Sequence, residues 1–289
     1  MTTIAATVAG ALVAATQVLA QTSDTARLDA EVLMAHALGV TRSELLLHHM
    51  RDAPPPGFDA LVARRSAHEP VAYIVGHQPF WGLDLVVGPD VLIPRGDSET
   101  LIAVATERLD AHPPARVIDL GTGSGALLLA ALAHWPDAQG TGIDRSPAAL
   151  DIARTNAARM GLDSRAAMTA ADWTQDGWAN GLGRFDLVLA NPPYVETGAQ
   201  LDASVVAHEP HGALFAGADG LDDYRVLIPQ LPGLLAAGGL ALIEIGWTQA
   251  DAVCALAHEA GLTPRVHADL AGRPRAVALF ANIPRHDGF

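Results

Sequence analysis

One cysteine, Cys254, stands in 289 residues. An intramolecular disulfide and a cysteine-rich metal cluster are therefore excluded, which suits a reducing cytoplasm, and a small core residue on a helix is the ordinary role of such a side chain. Positive charge is scarce as well: 18 basic against 32 acidic residues leave a formal net charge of -14 and a pI near 5.1. Nucleic-acid affinity rests on Lys and Arg neutralising phosphates, so no stable nucleic-acid binding is expected and a protein or small-molecule substrate is favoured. The apolar run over residues 4–20 ends in Val18-Leu19-Ala20 like a signal peptide, but no positive charge precedes it. A second apolar run, Val226 to Ile245, is cut by Pro229, Pro232, Gly238 and Gly239 into a helix and a strand, so no transmembrane segment and no membrane partner are expected.

What is present is a change of period along the chain. From Thr2 to about His68 the spacing is helical, with Val8, Leu12, Ala15 and Leu19 on one face of a first helix. Ser23 or Asp24 can cap a second helix lined by Leu28, Val32, Ala35 and Leu38 and ended by Gly39. Thr41 with Glu44 makes a capping box, and after Pro54-Pro55-Pro56-Gly57 the residues Phe58, Leu61, Val62 and Arg65 begin a further helix. Between His77 and Ile93, Trp81, Leu83, Leu85 and Val87 alternate with smaller or polar residues and Gly88-Pro89-Asp90 turns the chain, which predicts a β-hairpin. Strand and helix then alternate to the end. Seven strands are predicted: Arg116–Leu120, Thr141–Asp144, Ala166–Ala170, Phe185–Ala190, Leu240–Ile245, Pro264–Ala268 and Ala276–Phe280, the last two an antiparallel edge pair. The expected division is 1–76 helical, 77–95 hairpin linker and 96–289 α/β.

Two stretches carry chemistry. Asp119-Leu120-Gly121-Thr122-Gly123-Ser124-Gly125 follows the first strand of the α/β region and opens a helix, so its glycines let a ligand pass close to the backbone. Asp144 ends the next strand, where a carboxylate can accept from both hydroxyls of a ribose, and Asp172-Trp173 after the third offers an apolar wall to an adenine. The glycines do not follow G-x-G-x-x-G, and no Lys stands among them, which excludes a P-loop. An acidic residue ahead of the glycines suits a cofactor with a positive end, such as S-adenosylmethionine. The second stretch is Asn191-Pro192-Pro193-Tyr194 at the carboxyl end of the apolar run Phe185–Ala190. Pro-Pro after a strand is also ordinary turn punctuation. Here, though, an Asn carbonyl, a free Pro carbonyl and a flat Tyr face together could grip a planar amide or amine nitrogen.

These motifs resemble the seven-stranded class I S-adenosylmethionine-dependent methyltransferases that act on planar nitrogens. Glu69-Pro70-Val71-Ala72-Tyr73-Ile74-Val75-Gly76, Phe80-Trp81-Gly82 and Val91-Leu92-Ile93-Pro94-Arg95 with Glu99 are similar to the linker of the peptide chain release factor N5-glutamine methyltransferase family (HemK/PrmC). Glu209-Pro210, Ala213-Leu214, Asp219-Gly220-Leu221 and Asp269-Leu270-Ala271-Gly272 continue the resemblance, which runs from about residue 24 to residue 280. Gly96, Ser98 and His208 depart from the family pattern, departures expected to loosen a loop without touching the chemistry. His208-Glu209-Pro210-His211 does not read as a metal site, because Pro210 blocks a helical pairing of the histidines.

The resemblance implies a Rossmann-like sheet with an N-terminal helical domain that recognises substrate, and a cytoplasmic enzyme that methylates the glutamine of the Gly-Gly-Gln motif in release factors. It implies catalysis by Asn191, Pro192 and Tyr194, substrate contact by these and Pro193, and cofactor contact by Asp119, Gly121, Thr122, Gly123, Ser124, Gly125, Asp144, Asp172, Trp173 and Asn191. Methylation of an adenine amino group, and a non-catalytic cofactor-binding subunit, remain open as alternatives on the motifs alone.

Overall fold

The computed structural model describes residues 7–281, so the helical pattern expected over Thr2 to Ala6 lies outside the described residues. The chain folds into two compact units, one of residues 1–77 with 201–209 and one of 78–200 with 210–289.

The first unit is helical: α1 (Val8–Leu19), α2 (Ala26–Leu38), α3 (Arg42–Glu44) running into a π-helical turn (Leu45–His49), α4 (Phe58–Ser66) and α5 (Val71–Val75). Val8, Leu12, Ala15 and Leu19 are buried as the spacing predicts, and the Thr41–Glu44 capping box forms. The face of α2 is corrected in part. Ala35 is buried and Leu38 packs against the core as the spacing predicts, but Ala26, Asp29, Ala30, Leu33 and Met34 are buried too while Leu28 is 45% exposed, and the cap is Thr25 rather than Ser23 or Asp24. Carboxylates can turn inward because partners neutralise them: Arg65 Nε donates to Asp29 at 2.7 Å, as do the Ser23 and Thr25 hydroxyls at 2.7 and 2.8 Å. Glu31 is held likewise by Arg27 and Arg42. The alanines on this face let α2 pack closely on α1.

A two-stranded hairpin follows, β1 (His77–Phe80) and β2 (Leu83–Val86). Its turn is Trp81-Gly82, not the Gly88-Pro89-Asp90 that the sequence suggests. Both residues have positive φ, 48° and 76°, the geometry that matches strand twist in a two-residue loop. A bulky residue there is unusual. The Glu99 carboxylate holds it by accepting the Trp81 N–H at 2.7 Å, a contact 18 residues away that no local pattern announces.

The sheet of the second unit follows from its sequence with small changes of boundary, except that the fifth strand starts at Leu235 rather than Leu240, with Gly238 and Gly239 inside it at a shift of register rather than ahead of it. After α6 (Glu99–Leu109) come β3 (Arg116–Leu120), α7 (Ala126–His134), β4 (Gln139–Asp144), α8 (Pro147–Arg159), β5 (Ala166–Ala170), β6 (Phe185–Ala190), α9 (Ala203–His208, grouped with the first unit), α10 (Asp222–Leu227), α11 (Leu231–Leu234), β7 (Leu235–Glu244), α12 (Ala250–Glu259), β8 (Leu262–Ala268) and β9 (Pro274–Ala281). The order is β5-β4-β3-β6-β7-β9-β8, with β9 antiparallel to both neighbours and the other pairings parallel. Both faces are covered, so alternate residues of one strand fill different cores: Val117, Leu187 and Leu189 on one side, Ile118, Leu120, Val188 and Ala190 on the other. The order reverses between β3 and β6, the place where open α/β sheets bind ligands beyond the carboxyl ends of the strands. α8 begins as its sequence signals, with Pro147 first and the Ser146 side chain accepting from Ala149 N.

Because Arg65 neutralises a carboxylate that α2 turns inward, Arg65→Ala should lower unfolding stability by about 3 kcal/mol, the low end for breaking a buried pair, since two hydroxyls remain on Asp29. Urea denaturation measures it, and a loss under about 0.5 kcal/mol would mean that the pair is solvent-screened like a surface bridge.

Candidate active site

Register sets the site. Leu120 of β3 stands opposite Ala190 of β6, and Ala190 opposite Ile243 of β7, so the segments after these strands leave the sheet side by side. The glycine loop, Asn191 and the end of β7 are thereby level. A cavity at this edge of the second unit is lined by Asp119, Gly121, Thr122, Gly123, Ser124, Asp144, Asp172, Trp173, Asn191 and Pro193. Phe80, Ser98 and Arg145 also line it. Of the residues singled out in the sequence, Gly125, Pro192 and Tyr194 are not on its wall.

The glycine loop turns with φ of 76°, 54° and 85° at Gly121, Gly123 and Gly125, values that L side chains rarely adopt. A Cβ on Gly121 would stand 3.1 Å from the Trp173 ring, so the glycine and the tryptophan are packed to contact. Asp119 is 1% exposed; its Oδ2 accepts from the Thr122 hydroxyl at 2.7 Å, and Oδ1 is buried without a hydrogen-bond partner. Burial pushes its carboxyl up to about 7, with the Thr122 bond opposing. Asp144 is aimed by the backbone: Gly123 N donates to Oδ2 and Ser146 N to Oδ1, each at 2.9 Å. Each oxygen keeps acceptor capacity for a further donor. The Trp173 ring is fixed by Nε1, which donates to Asp223 Oδ1 at 3.1 Å. Asp172 accepts from the Thr174 N–H and hydroxyl, bonds that hold its carboxyl below the usual range against partial burial.

The tetrad is held from behind. Asn191 Nδ2 donates to Ser98 Oγ at 3.3 Å, and among the described residues nothing donates to Asn191 Oδ1 or to the Pro192 carbonyl. Tyr194 packs into the second core, and its hydroxyl donates to Glu244 Oε1 at 3.1 Å. Burial, followed by the Glu244 charge, raises its phenol well above the ordinary value. Gln249 Nε2 donates to the Tyr194 carbonyl at 3.0 Å, and Gly220 passes so near that a Cβ there would clash with the same oxygen at 2.3 Å. Val195 N then bonds Leu214 O at 2.8 Å, which ties the tetrad to the loop that follows.

Several supporting residues were not legible in the sequence. Asn156 of α8 is wholly buried; its Oδ1 accepts from Val86 N at 2.7 Å and its Nδ2 donates to Val86 O and Ser124 O, joining the hairpin to the glycine loop. A buried Asn in an amphipathic helix was the signal available. Gly142 leaves room for Thr122, because a Cβ there would sit 3.0 Å from its side chain. Ser98, one of the departures expected to leave the chemistry untouched, bonds the tetrad directly. Among the described residues no group of three His, Cys, Asp or Glu could hold a metal ion, and no helix is long and apolar enough to cross a membrane.

Comparison with known proteins finds relatives over most of the chain. The PrmC N-terminal domain family matches residues 10–76, and the methyltransferase small domain family matches residues 98–211. A protein named release factor glutamine methyltransferase from Rhodospirillum rubrum is 42% identical over 257 residues, covering 87% of this chain and 78% of its own. Proteins of the same name from Caulobacter vibrioides and Cereibacter sphaeroides are 41% and 43% identical, covering 88% and 90% of this chain and 89% and 92% of theirs. With relatives of this identity matched over most of both chains, the protein belongs to the release factor glutamine methyltransferase family.

Proposed function

We propose that this protein transfers a methyl group from S-adenosyl-L-methionine to the side-chain amide nitrogen (N5) of the glutamine in the Gly-Gly-Gln motif of peptide chain release factors, acting in the cytoplasm. The observation that carries the reading is that Asn191, with an unengaged Oδ1, shares one cavity with the glycine loop and Asp144 in a chain of this family. The methyltransferase domain implies a donor of the S-adenosylmethionine type, and the residues present suit that molecule. Asp119 has a buried, orphaned oxygen that a cationic group would satisfy. Asp144 has spare acceptor capacity for ribose hydroxyls, Trp173 and Asp172 bound the adenine end, and Gly121, Thr122, Gly123 and Ser124 leave the backbone open to close approach, while Gly125 turns the chain behind them.

When bound, the cofactor supplies an electrophilic methyl group on a sulfonium. The difficulty lies with the acceptor, since an amide lone pair is delocalised into its carbonyl. Asn191 Oδ1 and the Pro192 carbonyl accept the two N–H groups of the substrate amide and so fix where its nitrogen points. As positive charge grows on that nitrogen both acceptors bind its protons more strongly, which favours the transition state over the ground state. Pro193 forms part of the wall. Tyr194 supports the tetrad from behind the cavity, its ring in the second core and its hydroxyl held by Glu244. The helical unit recognises the release factor as a folded protein, because a single glutamine offers too little surface to discriminate.

Labelled cofactor supplied with a release factor, with nucleic acid or with neither tests the whole reading. Label is expected in the tryptic peptide carrying Gly-Gly-Gln, and label in nucleic acid alone would overturn it. An isolated Gly-Gly-Gln peptide should be methylated far less efficiently than the intact factor; equal efficiency would remove substrate recognition from the helical unit.

Asn191→Ala should lower single-turnover transfer about 10²- to 10³-fold, the scale for one preorganised group facing developing charge. Cofactor affinity measured by calorimetry should change much less. Loss of both in step would make Asn191 a cofactor ligand first.

The Asp119 carboxyl generates a pH prediction. Its folded value of about 7 lies above the ordinary 3.8, so the folded chain holds the proton more tightly than the unfolded one. Stability from this group is therefore complete below about pH 3.8 and is lost as pH rises to about 7. Asp119→Asn should raise the thermal midpoint of the cofactor-free protein relative to the parent, by a margin that widens from pH 5 to pH 8, while weakening cofactor binding. A margin independent of pH would show that the carboxyl is not buried as a charge.

A further inference from the structure

Asn191 can act as an acceptor only if its amide is held one way round, because the two ends of a primary amide have nearly the same shape and opposite hydrogen-bonding character. The group that decides is Ser98, at the end of the turn Gly96–Ser98 before α6. It is 4% exposed, and its Oγ takes the Asn191 Nδ2 proton at 3.3 Å. A hydroxyl has a single proton of its own. Given to Asn191, that proton would favour the reversed amide, with Nδ2 turned toward the cavity. Glu244 draws it elsewhere. This carboxyl lies at the end of β7, level with the tetrad through the Ala190–Ile243 register. It is 1% exposed, with Oε1 occupied by the Tyr194 hydroxyl and Oε2 buried without a partner. Burial pushes its pKa up; the Ser98 and Tyr194 hydroxyls and the Arg275 guanidinium favour its charged, acceptor-only form, and Asp97 opposes them. Arg275 is itself anchored by Asp97 at 2.9 Å and Asp269 at 3.4 Å.

We propose that Ser98 is a positioning residue for methyl transfer: its oxygen accepts the Asn191 amide proton while its own proton turns to Glu244 Oε2, so that Asn191 presents Oδ1 to the substrate nitrogen. The inference rests on Asn191 being the substrate acceptor. It gives the orphaned oxygen of Glu244 a donor and explains why a carboxylate is buried behind the tetrad rather than an apolar side chain, which would leave the Ser98 proton free to bond Asn191 Oδ1.

The test is a double-mutant cycle read by single-turnover transfer to intact release factor at saturating cofactor, with cofactor affinity and thermal midpoint measured on every variant. Ser98→Ala should slow transfer about 10- to 100-fold, the range for a misdirected reacting group, with cofactor affinity nearly unchanged. Ser98→Thr, which keeps the hydroxyl, should restore most of the rate, while the isosteric Ser98→Val should not. That pair gives the same comparison if Ser98→Ala is too unstable to assay. In an Asn191→Ala background Ser98→Ala should cost nothing further, because it acts through that amide. A rate for Ser98→Ala within about twofold of the parent, or a loss that multiplies with that of Asn191→Ala, overturns the proposal. Full transfer by Asn191→Ala alone would instead overturn the reading of the tetrad, which separates the two failures.

Discussion

The register of three parallel strands governs this molecule. Leu120, Ala190 and Ile243 lie abreast on β3, β6 and β7, and each is buried in the same core on one face of the sheet. Slipping any of these strands by one residue would exchange the side chains that fill the cores on its two faces, so the close packing of both cores enforces the register. With that register fixed, three chemically different segments emerge together: the glycine loop, the tetrad, and Glu244 with the loop beyond it. Their side chains come from positions far apart in sequence, yet each segment begins directly at the end of a core strand.

Behind the site lies a polar layer in which most groups are matched and two oxygens are left over. Tyr194, Tyr224 and Ser98 gather around Glu244, with Gln249 holding the Tyr194 carbonyl and Arg275 tied to Asp97 and Asp269. The unmatched atoms are Asp119 Oδ1, at the glycine loop, and Glu244 Oε2, behind the tetrad. Leaving a buried carboxylate oxygen unpaired costs free energy in a low-dielectric interior. In the proposed reaction both costs have a use: one oxygen awaits a cationic cofactor group, and the other awaits a hydroxyl proton whose direction sets the Asn191 amide.

Charge is handled differently in the helical unit. There Asp29 and Glu31 are turned inward on α2 and neutralised by Arg65, Arg27 and Arg42. The Asp29–Arg65 pair is buried on both sides and adds little net stability over an apolar pair, whereas Arg27 and Arg42 are 48% and 51% exposed. The second unit, by contrast, fills its two cores almost wholly with aliphatic side chains from both faces of the sheet. Of its buried polar residues, Ser98, Asp119, Thr122 and Ser124 line the cavity at the carboxyl edge.

What the sequence determined by itself was whatever depends on residues near one another. Strand-length apolar runs, the Thr41–Glu44 box, Ser146-Pro147 at the start of α8 and the glycine loop after β3 are all specified by local periodicity and backbone freedom, and the structure carries each of them. Tertiary structure decided which partner each group meets. Helical spacing could not reveal that α2 buries Asp29 and exposes Leu28, because that choice depends on Arg65 arriving from α4. Nor could alternation place a hairpin turn at Trp81-Gly82, since its strain is met by Glu99, or read Ser98 and Asn156 as parts of the site. A side chain's type limits what it can bond, but only the packing of distant strand and helix ends selects the atom that it bonds.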